Sequence, residues 1–475
     1  MKVDTGLLNP FIPSNSRPWN KKLAAHLLNR TMFGAKVSDI NQILSLTPSE
    51  SVDLLFQSYA MPGPPGSWVT EVPNYGSNLN TPRMNMLRYW WMKQMYEQPV
   101  SFREKMVLFL HNHFTSEGDT VRIPQHMYIQ NSLFRNNVFG NLKTLTKLVT
   151  RDPGMLYYLD GRLNSVGSPN ENYSRELLEL FTLGIGNYNE TDVREGARAL
   201  TGWTITGLTS AFVSSRHDNG IKTYLGQTGN FNDDDVVNII YSNHEAAVYF
   251  CKKLYVNFVN QKEDMSYALP VINELADLLR NNNYELLPVL KTLFKSQIFF
   301  SENVISSLIK SPLDLMISTI RQLNIQFDYS NINLYLTYIS SQSSSAGQLL
   351  FDPPNVQGWT GYRSWLNTLS VPTRSSFCES IITGFKKDLT TTGFSVNPVA
   401  FAMQFSEPND AVKLVDQMCE HLIRLTLTPT QRNDLLLVLL DGSAVYDWDI
   451  SDPQAPARIK KFLKSLIYLA EFQLN

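Results

Sequence analysis

A mainly α fold, one large helical domain with a small β-hairpin or loop insertion near 204–230, is what this sequence predicts. Three observations carry the prediction. Apolar residues recur at three- and four-residue spacing along most of the 475 positions. Helix start and stop signals bracket these runs. Only the stretch ITGLTSAFVSSRHDNGIKTYLGQTGNF, just after Trp203, turns to β-branched and turn-forming residues.

In chain order, residues 1–20 read as an ordered arm anchored by Phe11 and Trp19. A helix follows near 23–29 and stops near Gly34. Another starts at Ser38, with Ile40, Ile43, Leu44 and later Val52, Leu54 and Leu55 as its apolar positions. MPGPPGSWVTEVPNYGSNLNTP is loop, because its proline, glycine and asparagine density breaks any helix. An aromatic-rich helix spans 83–97. Ser101-Phe102-Arg103-Glu104 reads as a capping box that starts the helix carrying FLHNHF. Further helices are expected near 126–137, 141–150 and 154–160.

Ser168 to Trp203 is the densest polar block. Ser168, Pro169 and Glu171 give an N-cap, first-turn proline and capping glutamate, and Gly184 ends the helix. Winding at ~100° per residue buries Tyr173, Leu177, Leu180 and Phe181. Glu171 and Arg175 form a surface i,i+4 pair. Asn172, Glu176 and Glu179 make a stripe, with Glu176 inside the apolar sector. A carboxylate there must be paired, hydrogen-bonded or protonated, so Glu176 is a candidate acid/base or metal ligand. The competing reading is a buried ion pair with Arg198 or Arg135. Asp192 and Glu195 cap the next helix, about 192–200, and Trp203 anchors its exit.

His111 and His113 sit two apart on a helix, and their side chains diverge by roughly 160°, so they reach one ion only if the helix ends early. His113 falls on the core face with Met106 and Phe109, either as a satisfied core histidine or as a partner for Glu176. Asp218-Asn219-Gly220 suits a hairpin turn. His217-Asp218 could bind a metal as in helical phosphohydrolases, but the local signals give a turn rather than the helix that chemistry uses.

Later helices are expected from Asp233 and at 243–258, 266–281, 284–295, 310–323 and 345–350. LFDPPNVQGWTGYRSW is irregular, with Trp359 and Trp365 as substrate-binding or core aromatics. Two or three helices complete 408–475. The core helices span 21–390, and 391–475 packs on them.

A formal charge of −2 gives no electrostatic case for nucleic acid, and 43% hydrophobic residues suffice for a large core. Three scattered cysteines read as reduced thiols. The first twenty residues show no apolar signal segment and the chain no spanning segment, so a cytoplasmic location is expected. GxSxG, HExxH and CxxC are absent, which removes a nucleophile elbow, a zincin and a zinc ribbon.

The blocks HLLNRTMFG, FREKMVLFLHNHFTS, QNSLFRNNVFGN, DPGMLYYLDG, PNENYSRELLELFTLGIGNYNETDVREGARALTGW, HDNGIKTYLG, KSPLDL and PPNVQGW resemble a bacterial family known as domain of unknown function 1800. The resemblance covers nearly the whole chain and implies one large unit. Its members often have a sulfatase- or alkaline-phosphatase-like family as genomic neighbour, which implies such a protein as a partner. Many members carry export signals, which this N-terminus lacks.

Two functions follow as expectations. The first is an enzyme of acid/base or metal-assisted hydrolysis. Its catalytic set is Glu176, His113, Glu179, Arg175 and Arg198, and its binding set Asn170, Asn172, Trp203, His217 and Asp218. A divalent metal would be held from among His111, His113, Glu176 and His217. The pocket would lie between the His113 and Glu176 helices, with the His217 turn as a lid. The second is a non-catalytic binding or assembly protein acting with the phosphatase-like partner through the exposed tryptophans Trp68, Trp359 and Trp365.

Overall fold

The computed structural model describes residues 6–261, 265–385 and 394–475. Among them are 22 α-helices and two small two-stranded antiparallel sheets, so the fold is mainly α with hairpin insertions. One continuous apolar cluster draws buried residues from between Leu8 and Phe472 along the chain, the first hairpin and the Trp359–Trp365 segment lying outside it. No helix among the described residues is long and apolar enough to cross a membrane.

The arm is tied down by backbone bonds. Phe11 N donates to the Lys295 carbonyl at 2.7 Å, and the Phe11 and Trp19 rings pack on Phe300. The first helix, Lys21–Thr31, is capped by Asn20. The second apolar run breaks into two helices, Val37–Leu44 and Pro48–Leu55, because Thr47 and Glu50 form a capping box with Pro48 in the first turn.

The helix Arg103–His113 lacks the expected capping box. Glu104 turns inward, accepting from Arg135 at 2.7 Å and from the Trp91 indole at 3.0 Å. A buried guanidinium outbids a backbone amide for that carboxylate.

The polar block also starts later than its signals suggest. Ser168 is bridged to Ser165, and the helix begins at Asn172. Asn170 Oδ1 accepts from the Asn172 amide at 2.9 Å and takes over the start. From Leu177 to Thr182 the helix widens into a π turn, with the Leu183 and Gly184 amides both donating to the Leu178 carbonyl. Gly184, at φ +79°, ends it as expected.

The insertion is two hairpins. Trp203–Thr206 pairs with Thr209–Phe212, and Lys222–Tyr224 with Gln227–Gly229. Asp218-Asn219-Gly220 is the link between them and not a hairpin turn. Asp218 bonds the Gly220 amide and Arg198 instead, while the second turn uses Leu225 and Gly226, both at positive φ.

The 345–350 helix is absent. The helix lies earlier, Ile332–Ser345, and Gln348 instead accepts from the Leu313 amide. A helix Ser370–Thr383 also forms where the sequence pattern gave none. The C-terminal region supplies Ala411–Leu422, Pro429–Leu440 and Ala455–Ile467.

Candidate functional site: a cationic cavity beside His113

The last turn of Arg103–His113 sends three consecutive side chains to three places. His111 packs among Trp91, Phe351 and Trp359. Asn112 clamps the PPNVQGW segment: its Oδ1 accepts from the Trp359 amide at 2.7 Å and its Nδ2 donates to the Trp359 carbonyl at 3.2 Å. His113 packs among Phe109, Phe114, Phe181 and Phe250. Gly358 makes the clamp possible. It sits at φ +78°, and a Cβ there would lie 2.3 Å from Asn112 Oδ1.

His113 opens onto a cavity of 390 Å³, a size typical of small-molecule sites. Four distant segments build it. Arg103–His113 contributes Lys105, Asn112 and His113. Helix His244–Phe258 contributes Lys253 and Asn257. Helix Pro312–Gln322 presents its N-terminus, with Ser311 and Asp314. The irregular segment adds Gln357, Trp359 and Trp365, and Arg30 and Gln261 complete the wall.

Positive charge dominates this wall. Lys105 is paired with Asp314 at 2.6 Å. The Arg30 Nη atoms donate to the carbonyls of Phe258, Val259, Val304 and Asn475, but its buried Nε has no partner. No carboxylate lies within ion-pair distance of Lys253 among the described residues; its ammonium lies over the Tyr249 ring at 5.4 Å. Burial pulls Lys253 down, and the neighbouring Lys252 adds to the pull. Burial likewise brings Arg30 to about 9, still protonated at neutral pH, while Asp314 opposes.

His113 is buried, and among the described residues neither ring nitrogen makes a hydrogen bond of ordinary geometry, although the Phe181 backbone lies close enough to favour the protonated ring. Desolvation, with Lys253 adding to it, holds its pKa at about 3, so the ring is neutral at physiological pH. Desolvation alone does the same to His111.

Among the residues the sequence singled out, His113, Trp359 and Trp365 line this cavity. The others lie elsewhere. Glu176 is half-buried rather than inside the core, because the π turn rephases the helix after it. Neither expected arginine pairs with it: Arg135 holds Glu104, and Arg198 holds Asp218 at 2.7 Å and Glu195 at 2.9 Å. Burial and the adjacent Glu179 push the Glu176 carboxyl up, against Arg175. The fields of Glu117, Glu176 and Asp352 all reach Tyr158, which burial first of all raises to about 12. Glu179 accepts from the Tyr188 hydroxyl at 2.6 Å.

Arg175 bridges Glu171 and Glu190 at the surface. Asn172 is exposed, Asn170 serves the helix start, and Trp203 packs under Arg151 and against Phe212. His217 Nδ1 donates to the Thr201 carbonyl at 2.9 Å and the ring packs at a tilt against Phe212. Asp192 caps its helix with Asn189 as expected, and also accepts from the Leu225 amide.

Among the described residues, the expected ligand set for a divalent metal does not come together. His111 and His113 end in separate aromatic clusters, and no three His, Cys, Asp or Glu converge in ligating geometry among the described residues. Nor do Trp68, Trp359 and Trp365 form an exposed contact surface: they are 5, 6 and 8% exposed. Each is held by packing that the loop composition concealed.

Sequence reasoning missed Lys253, Arg30, Lys105 and Gln261. The one available signal was the spacing of Tyr249, Lys253 and Asn257, an i,i+4,i+8 polar edge on an otherwise apolar helix.

No curated protein and no solved structure matches the chain. A family model matches residues 26–473 of 475, so the chain belongs to the family described as Protein of unknown function (DUF1800).

Proposed function

We propose that the protein is an enzyme that acts by acid/base chemistry on a small anionic substrate in the cavity beside His113. The observation that carries this is a lysine with no carboxylate within ion-pair distance among the described residues, sharing the wall of one half-open cavity with a buried imidazole. A protein gains nothing in stability from either group. Both are costs that a bound partner would offset.

In this reading Lys253 binds the substrate's negative charge. Because burial lowers its affinity for a proton, it also serves as the proton donor and acceptor. Neutral His113 supplies one donor and one acceptor to orient the substrate. The Lys105–Asp314 pair fixes the opposite wall. Trp359 and Trp365 add apolar wall. Glu176, with its raised carboxyl, lies outside the cavity, four residues before the wall residue Leu180, and is a second acid. Hydrolysis of an ester of phosphoric, sulfuric or carboxylic acid is the reaction class these groups suit.

The test is turnover of chromogenic nitrophenyl phosphate, sulfate and carboxylate esters by wild type, Lys253→Met and His113→Asn. The expected result is turnover of at least one ester, falling ~100-fold or more in both variants with folding intact. Undiminished turnover in Lys253→Met, or no turnover of any ester by wild type, overturns the reading.

A further inference from the structure

We infer that the cavity's ligand is a sugar-sized polyol carrying a single anionic group. The anion would sit at Lys253 and His113, and the hydroxylated body against Trp359 and the side-chain amides. This rests on reading the cavity as the functional site, and it adds the chemistry of what enters.

Charge comes first. Among the described residues, Arg30, Lys105 and Lys253 face the cavity against one carboxylate, Asp314, which Lys105 and Asn475 Nδ2 already engage. The described side chains of the wall therefore carry more positive than negative charge. Helix Pro312–Gln322 adds the positive end of its dipole on the same side. A neutral ligand would leave this excess uncompensated in a low-dielectric space.

The rest of the wall is unsuited to a bare inorganic anion. A volume of 390 Å³ holds roughly 13 water molecules, far more than one phosphate or sulfate displaces. Asn257, Gln261 and Gln357 also face in, and Gln261 Oε1 is buried without a donor. Carboxamides both donate and accept, as hydroxyls do, so amide walls match a polyol in either direction. An orphaned acceptor wants an O–H or N–H, which a sulfate or carboxylate ion does not supply and sugar hydroxyls do. The Trp359 and Trp365 rings offer flat apolar area for the C–H face of a ring, with the indole edge still able to hydrogen-bond. The orphans thus comprise a cation, a donor in Arg30 Nε, an acceptor in Gln261 Oε1, and the His113 ring, which is both. Together they describe a polyol with one negative charge.

Binding of five probes by calorimetry tests this: glucuronate, glucose 6-phosphate, glucose 6-sulfate, glucose and inorganic phosphate. At least one of the three charged sugars is expected to bind ~10-fold or more tightly than both glucose and inorganic phosphate. Which of the three wins identifies the anion as carboxylate, phosphate or sulfate. Lys253→Met should cost the charged sugar ~10-fold and leave glucose unchanged. Trp359→Phe, which keeps the wall packed, should weaken the charged sugar and not inorganic phosphate. Equal binding of inorganic phosphate and the sugar anions overturns the polyol, and equal binding of glucose overturns the anion. If none of the five binds while ester turnover still requires Lys253 and His113, this inference fails and the proposed function stands. If both fail, the cavity is not the site.

Discussion

Two regions bury charge on opposite sides of the same helix, and they bury it differently. At the start of Arg103–His113, Glu104 and Arg135 are 5 and 3% exposed and fully engaged, with Trp91 and Asn131 completing the set. At its end, His113 and Lys253 share a cavity wall, and among the described residues neither has a charged partner: Lys253 lies over the Tyr249 ring and His113 among phenylalanines. A closed network fixes geometry. An open one carries a standing cost that only a ligand relieves. The difference locates function better than polarity does.

The largest expected effect comes from breaking the closed network. Glu104→Ala leaves the Arg135 guanidinium buried without its counter-charge and should cost about 3–5 kcal/mol. Urea unfolding measures it. A loss below about 1 kcal/mol would show that the pair is no anchor, and the comparison would lose its closed half.

The open side should show itself in acid. His113 is held at about 3 in the folded protein, against the ordinary 6.5 when unfolded. Between those values the unfolded chain takes up a proton that the folded one refuses. Its contribution is therefore complete above pH 6.5 and is lost as pH falls toward 3. At pH 5 this histidine alone should make folding about 2 kcal/mol less favourable than at pH 8. His111, at about 3 as well, adds a similar amount. His113→Phe should flatten the acid limb by its own share, measured as urea stability at pH 8 and pH 5. A limb unchanged by the substitution would mean that the ring is not desolvated.

These contrasts also explain what was legible in the sequence. Apolar spacing found most helices, because each buries one stripe. It missed Ile332–Ser345, whose serine, tyrosine and asparagine content dilutes the stripe. It put Glu176 in the core because constant 100° winding cannot foresee the π turn that begins one residue later. His113 was legible as an inward residue. Its partners were not: Lys253 is 140 positions away and Trp359 further, and only the packed helices and the Asn112 clamp bring them together. Glu104 shows the converse. Its local capping signal was sound, and a distant arginine overrode it.

Lys253→Met carries a smaller and opposite expectation. Removing an unpaired, desolvated cation and keeping its methylene bulk should stabilise the unliganded protein by about 1 kcal/mol at neutral pH. The sign follows from the lowered folded pKa. The unfolded lysine holds its proton more firmly, so the native charge is a cost that fades as pH rises through the folded pKa toward 10.5. The gain should therefore shrink at pH 10, as thermal melts at pH 7 and pH 10 would show. A destabilised Lys253→Met would mean that the ammonium has a partner, and the open half of the comparison would close.

The smallest effect is expected where the sequence looked richest. Arg175 lies in the densest polar block and bridges Glu171 and Glu190. That bridge stands in solvent, where screening and side-chain entropy remove most of its Coulomb energy. Arg175→Ala should shift the melting temperature by less than about 1 °C and leave ester turnover unchanged. The same block holds Glu176, whose carboxyl is pushed up by burial and by Glu179 and opposed by Arg175. Removing the arginine should raise that carboxyl further without touching the cavity. If turnover falls ~10-fold while the melt stays put, and its acid limb moves up in pH, the chemistry belongs to Glu176 and the cavity only binds. If neither moves, the polar block is a solvated helix face, and the chemistry is left to His113, which the sequence singled out, and Lys253, which it did not.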